Sequence, residues 1–186
     1  MSKLIFGVVG PLASGKEEVK KYLEKTYGAG THRFSVMLRD ILNRLYLPIT
    51  RDNMQNLSLD LRNRFGGDTL ARVIAEDVKK DTHEIIVIDG VRREDDIIKL
   101  KDVPGFYLVG IDAKPEIRYE RLIKRGENAD DNQKTYEEFI IDNQKEAELE
   151  IPKVMGQAKY QINNDGSFSD LYRQIDVIVL NAKQQE

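Results

Sequence analysis

The chain has 186 residues, of which 40% are hydrophobic and 33% charged, and its formal net charge is −3. That length fills one core and leaves too little for a second, so a single domain spanning 1–186 is expected. The acidic balance offers no basic field for nucleic acid, and the absence of cysteine excludes disulfides, thiolate zinc sites and cysteine nucleophiles.

The first element is the apolar run Leu4–Val9, of strand length. It is too short for a signal-peptide core, and no other stretch is long enough to span a bilayer, so a cytoplasmic protein with no membrane partner is expected. Directly after it stands Gly10-Pro11-Leu12-Ala13-Ser14-Gly15-Lys16, the spacing GxxxxGK, followed by the helical pattern of Val19, Tyr22 and Leu23. In such a loop, small residues let backbone N–H groups turn inward onto a polyphosphate. The following helix contributes its positive end and the lysine a mobile point charge. Gly10, Ala13, Ser14, Gly15, Lys16, Glu17 and Glu18 are therefore the candidate contacts to a phosphate-bearing cofactor.

Glu17 stands where serine or threonine ordinarily closes this pattern, and three arrangements are open to it. An inward carboxylate about 7 Å from the phosphates, at an effective dielectric near 20, would be repelled by roughly 2 kcal/mol per unit of phosphate charge. An outward one merely favours the helix dipole. A metal-ligating one would reverse the sign of the effect.

A second strand is expected around His32–Phe34, although no apolar run marks it. Phe34–Asp40 then opens a helix with Ser35 as N-cap and Arg39 about a turn inside, a position open to a phosphate contact or to a surface role. Ile85–Ile88 is a third strand, delivering Asp89, Gly90, Arg92 and Arg93 to its end. There an acid can hold Mg²⁺ or its water shell and arginines can grip phosphate oxygens. After the strand Phe106–Ile111, the residues Arg118, Arg121 and Arg125 share one helical face. A line of guanidiniums suits a phosphoryl group in flight, with Arg121 and Arg125 favoured over Arg118.

The polar stretch Gly126–Lys134 reads as a short lid, about 126–135, or as an ordinary loop. Tyr160–Ile162 is a last strand, followed by Asn163-Asn164-Asp165-Gly166, in which turn chemistry and a base-contacting role both remain open. Asn181–Glu186 reads as a loose polar tail. His32 and His83 have neither triad nor metal-ligand spacing. Strands apolar throughout, alternating with helices, predict a five-stranded parallel sheet covered on both faces, with ligands at the carboxyl ends of the strands.

Together these motifs resemble the nucleoside monophosphate kinase group of P-loop phosphotransferases, including the deoxynucleoside monophosphate kinase-like and dephospho-coenzyme A kinase-like members. Met37-Leu38-Arg39 is similar to the segment that grips the acceptor monophosphate, and Asp89-Gly90-Val91-Arg92-Arg93 to the family's DGFPR. Arg121-Leu122-Ile123-Lys124-Arg125 resembles the entry to the lid, and Asp130-Asp131 its acidic pair, although Asn128-Ala129 stands where many members have an arginine. Arg51 to Ala71 is similar to the acceptor-side helices, expected over about 35–82, which makes Arg51, Gln55 and Arg62 candidate acceptor contacts.

The resemblance implies a three-layer P-loop NTPase fold with a short lid. It further implies in-line transfer of a phosphoryl group from ATP with Mg²⁺ to a small nucleotide-like acceptor, most naturally a nucleoside or deoxynucleoside monophosphate, with no nucleic-acid partner. In that reading Lys16 holds the β- and γ-oxygens and Asp89 the metal. Arg39, Arg92 and Arg93 hold the acceptor, and Arg121 or Arg125 the transferring group. A dephospho-coenzyme A kinase-like enzyme and a non-catalytic nucleotide-binding protein with a degenerate loop are the alternatives.

Overall fold

Strand β1 (Leu4–Val9) is buried at every position, because both faces of the sheet it centres are covered. Leu4, Phe6 and Val8 belong to the core on one face, whereas Ile5 and Val9 belong to the core on the other. The computed structural model describes residues 3–125, 134–143 and 149–185, and of these the side chains of Arg51, Arg125 and Asp142 are outside the description.

In chain order the described elements begin with β1, α1 (Lys16–Tyr27), β2 (Gly30–Arg33), α2 (Phe34–Arg44), α3 (Arg51–Phe65) and α4 (Thr69–Lys80). They continue with β3 (Ile85–Val91), α5 (Glu94–Ile97), β4 (Phe106–Asp112), α6 (Pro115–Arg125), α7 (Tyr136–Asp142), α8 (Ile151–Met155), β5 (Tyr160–Asn163) and α9 (Phe168–Lys183). The strands form one five-stranded sheet in the order β2-β3-β1-β4-β5. Every neighbouring pair is parallel.

On one face, Val19 and Leu23 of α1 and Leu171, Ile175 and Val179 of α9 pack against Phe6, Val87 and Ile111. On the other, Leu38, Leu70, Ile74 and Val154 of α2, α4 and α8 pack against Ile5, Ile86 and Leu108. This is the three-layer arrangement expected from apolar strands separated by helices. All strand ends that carry polar residues, after Val9, Arg33, Val91, Asp112 and Asn163, therefore open on the same edge.

Three expectations are corrected. The edge strand β2 ends at Arg33, and Phe34 is the first residue of α2. Buried Phe34 anchors that helix start in the core, so Arg33 takes the N-cap position with no side-chain cap and Ser35 caps nothing. At the other end, Asn181–Lys183 continue α9, because Ala182 packs fully buried against the α1 side of the sheet. No described helix is long and apolar enough to cross a membrane.

Candidate active site at the carboxyl edge of the sheet

The loop between β1 and α1 is shaped by close approach. A Cβ on Gly10 would lie 2.1 Å from the carbonyl oxygen of Ile111, so only glycine lets the loop pass this near β4. Gly15 adopts φ 109° at the N-cap of α1, and a Cβ there would lie 2.2 Å from Asn164 Nδ2. Ala13 also lies in left-handed space, at φ 60°. Successive residues of this kind turn N–H groups into one concavity, the geometry that accepts a phosphate. The ammonium of Lys16 donates to the carbonyls of Gly10 at 2.6 Å and Pro11 at 2.9 Å, folded back over the loop it would exchange for phosphate oxygens.

Asn164 is the side chain that holds the loop from the β5 side. It is 4% exposed, and its Nδ2 donates to Ser14 O at 2.8 Å. The neighbours Asn163 and Asp165 perform the turn chemistry: Asp165 N donates to Asn163 Oδ1, and Lys114 N donates to Asp165 Oδ1. The Lys114 N–H holds the Asp165 carboxyl below the usual carboxylate range. The sequence left turn and ligand contact open for this segment, and the structure divides the loop residue by residue, with Asn164 turned inward.

Arg121 Nη2 donates to the carbonyl of that same Asn164 at 2.8 Å, which brings its guanidinium one residue from the phosphate loop. Its Nη1 and the hydroxyl of Ser14 are buried polar atoms with no hydrogen-bond partner. A buried cationic donor without an acceptor is costly by itself and is the right chemistry for an anion. Arg118, the least favoured of the three arginines on that face, is tied to the protein's own groups. It is 8% exposed, donating through Nε to Ala113 O and through Nη1 to Leu12 O and Asn143 Oδ1, with its guanidinium 5.3 Å from the centre of the Phe139 ring. It joins the phosphate loop, the start of α6 and α7 in one buried node. The side chain of Arg125 and the lid residues 126–133, with Asn128, Ala129, Asp130 and Asp131, lie outside the described residues.

On the β3 side, Asp89 is bound by Arg33, whose Nε lies 2.7 Å and Nη2 2.5 Å from Asp89 Oδ2. The same Nη2 reaches Glu17 Oε2 at 3.1 Å, and Lys20 Nζ takes Glu17 Oε1 at 2.8 Å. Glu17 is thus paired on both oxygens, turned toward the end of β2 and neutralised. Glu18 turns away as well, accepting from the hydroxyl of Tyr172 on α9. Arg33 itself was missed: nothing in the chain pattern marks it, because its partners lie 16 and 56 positions away.

The candidate acceptor residues divide. Arg39, in the middle of α2, and Arg92 are exposed and Arg93 is half-buried, the last two directly after β3. The side chain of Arg51 lies outside the described residues. Arg62 is committed to structure, with Nη2 2.7 Å from buried Asp96 Oδ1 and Nη1 on Gly67 O. The other oxygen of Asp96 accepts from the backbone N–H groups of Arg92 and Arg93 at 3.0 Å. Arg62 therefore braces the turn that presents those two arginines.

The oxygen donors fit a magnesium ion held largely by phosphate and water: Asp89 supplies a carboxylate at the strand end, and no cluster of three or more acidic or histidine ligands occurs among the described residues. The loop, Lys16 and the unpartnered Arg121 Nη1 fit a nucleotide polyphosphate.

Comparison with known proteins agrees with this geometry. A family model described as AAA domain (AAA_18) matches residues 7–149. A UPF0200 protein of Pyrococcus abyssi is 31% identical over 181 residues, which is 95% of each chain. Among solved structures, a shikimate kinase from Bacteroides thetaiotaomicron superposes with a TM-score of 0.62 at 13% identity, covering 97% of this chain and 98% of that one. A gluconokinase from Sinorhizobium meliloti 1021 superposes with a TM-score of 0.57 at 13% identity, covering 98% and 97%. At these identities the likeness is one of fold, a parallel sheet with helices on both faces.

Proposed function

This chain belongs to the UPF0200 family and to the AAA domain family, and from that premise we propose that it is an ATP-dependent phosphotransferase acting on a nucleoside or deoxynucleoside monophosphate. One observation carries the reading. A glycine-lined loop bearing Lys16 is joined through Asn164 to an arginine whose Nη1 is buried and unpartnered. Such a pairing of a backbone concavity with two cations suits a group whose negative charge spreads during transfer.

In the proposed reaction an acceptor phosphate oxygen forms a bond to the γ-phosphorus of ATP as the bond to the β–γ bridging oxygen breaks, and ADP leaves with that electron pair. The backbone N–H groups of residues 13–16 hold the β-phosphate. Lys16 leaves the carbonyls of Gly10 and Pro11 for the β- and γ-oxygens, keeping its charge beside the bond that breaks. Arg121 contributes Nη1 to the transferring group while Nη2 stays on Asn164 O. Arg39, Arg92 and Arg93 grip the acceptor, with Asp96 fixing the backbone of the latter two. Asp89, whose Oδ2 is engaged by Arg33, would hold Mg²⁺ through its other oxygen or through water, and the ion would supply charge neutralisation at the phosphates. Positioning and electrostatics are the whole of the protein's contribution, and no covalent intermediate is needed.

The orientation of Glu17 favours catalysis over the non-catalytic alternative, since its carboxylate is engaged by Lys20 and Arg33. The test is a panel of nucleoside and deoxynucleoside monophosphates plus dephospho-coenzyme A, incubated with ATP and Mg²⁺ and followed by ADP release and product mass. The expected result is turnover of at least one monophosphate, abolished by Lys16→Ala. Product only with dephospho-coenzyme A would move the substrate class. ATP-induced thermal stabilisation without product from any acceptor would leave a nucleotide-binding protein.

A further inference from the structure

Two acids flank the phosphate loop at the edge of β3, and how their charge is managed has a functional consequence. Glu17 follows the loop lysine directly, and Asp89 ends the buried part of β3. Arg33, at the end of the neighbouring strand, reaches across β3 and bridges both: 2.5 Å to Asp89 Oδ2 and 3.1 Å to Glu17 Oε2, from the same Nη2. Both oxygens of Glu17 are engaged, the other by Lys20 at 2.8 Å. The four groups sum to zero charge.

We propose that Arg33 is a positioning residue for nucleotide binding: it holds the carboxylate of Glu17 out of the phosphate concavity and cancels the charge that would otherwise repel the polyphosphate. This inference rests on the reading of Gly10–Lys16 as a nucleotide site. The energetic case is direct. Without Arg33 the cluster carries one net negative charge, and Glu17, tied only to a lysine one turn along its own helix, is free to turn toward the loop. At about 7 Å and an effective dielectric near 20 the bare repulsion per unit of nucleotide charge exceeds tenfold in affinity, and solvent screening of the half-exposed carboxylate brings the expected loss to about tenfold. Lys20 alone is a weak tether, because an i,i+3 ion pair on a helix contributes only on the order of thermal energy.

The arrangement also explains why a carboxylate is tolerated at a position that elsewhere needs a hydroxyl or a small residue. β2 is held in place independently: its His32 ring meets Asp81 on the far side, 2.7 Å from Nε2 to Oδ2, and its backbone pairs with β3 from Gly30 to Arg33. Arg33 is thus presented by a fixed strand, and its head group holds Glu17 from β2 while Lys20 holds it from α1.

A mutant cycle separates this role from a direct contact between Arg33 and ligand. ADP affinity is measured by calorimetry in low salt with a chelator present, so that no divalent cation can neutralise the acids, for the parent, Arg33→Gln, Glu17→Gln and the double variant. The expected result is a loss of about tenfold for Arg33→Gln in the parent background but about threefold or less in the Glu17→Gln background, the difference shrinking as salt is raised. Arg33→Lys, which keeps the charge, restores most of the affinity, and melting temperatures without ligand show that the variants remain folded. An equal loss in both backgrounds, or no loss in either, overturns the proposal. Should Lys16→Ala bind ADP as well as the parent does, the nucleotide-site reading fails and takes this one with it. If Lys16→Ala abolishes binding while Arg33→Gln leaves it intact, only the role of Arg33 is lost.

Discussion

On the β4–β5 side of the phosphate loop the polar side chains are buried and spend their hydrogen bonds largely on backbone, whereas on the β3–β2 side half-exposed Arg33 and Glu17 pair with each other above buried Asp89. Arg118 and Asn164 grip the carbonyls of Leu12 and Ser14 from below 10% exposure. The side chains of Arg33 and Glu17 are 45% and 41% exposed and meet through ions alone. The first flank is a frame, whose groups have no better partner to go to. The second is a set of charges that can be exchanged when a ligand arrives, since each ion pair near water is worth little and is readily remade. A site that must hold its loop still and yet admit a polyanion needs both.

Removing a member of the frame should therefore cost stability, and removing a member of the exchangeable set should cost affinity. Arg118→Ala deletes a buried guanidinium that satisfies three oxygens and packs on Phe139, with an expected loss of about 3 kcal/mol. For a domain of this size that lowers Tm by roughly 6–12 °C, which thermal unfolding without ligand reads directly. Asn164→Ala should follow at about 1–2 kcal/mol, because the carbonyl of Ser14 is left buried without its donor. In contrast, Arg39→Ala lies on an exposed face and should shift stability by no more than about 0.5 kcal/mol. Its effect belongs in the acceptor KM, expected to rise about tenfold with the ATP KM unchanged. A large drop in Tm for Arg39→Ala, or none for Arg118→Ala, would break the division between the two flanks.

The strand that carries the exchangeable flank has its own anchor, and acid probes it. Burial pushes the Asp81 carboxyl up, but it is outweighed by the His83 N–H and the His83 and His32 rings, which together hold it at about 2. A carboxyl depressed in the folded state contributes stability above its unfolded value near pH 4, and that contribution fades as the pH falls through the folded value. Between those limits the parent should lose stability more steeply than Asp81→Asn, as chemical denaturation at a series of pH values would show. Parallel curves would mean that β2 is held by its ladder to β3 alone.

The frame's elements were legible in the chain because they follow from short-range pattern. Leu4–Val9, Ile85–Ile88 and Phe106–Ile111 are apolar throughout, and GxxxxGK fixes the turn after the first of them. β2 was harder: its exposure alternates from Gly30 to Arg33 without an apolar run, and its end was displaced by one residue because Phe34 serves the helix core. The side chains that finish the site were the least legible. Arg118 and Arg121 share a helical face, yet one is spent on backbone and the other keeps a buried donor unpartnered, a difference set by Leu12, Asn143 and Asn164 far along the chain. Arg33 is the extreme case, since its meaning exists only once β2, β3 and α1 are side by side.

The smallest effect tests how finely the frame is tuned. Ala13 holds φ 60°, a conformation that costs an L-residue about 1 kcal/mol and glycine almost nothing. Ala13→Gly relieves that strain in the folded state but also loosens the unfolded chain, which works against folding by a comparable amount, roughly 0.4–1 kcal/mol. The two terms nearly cancel, so Tm should move by no more than about 2 °C in either direction. ADP affinity should then be held within about twofold, because the N–H groups already point where a glycine would put them. A marked gain in affinity on this substitution would show instead that alanine holds the loop short of its binding geometry, and the frame would have to be counted among the parts that move.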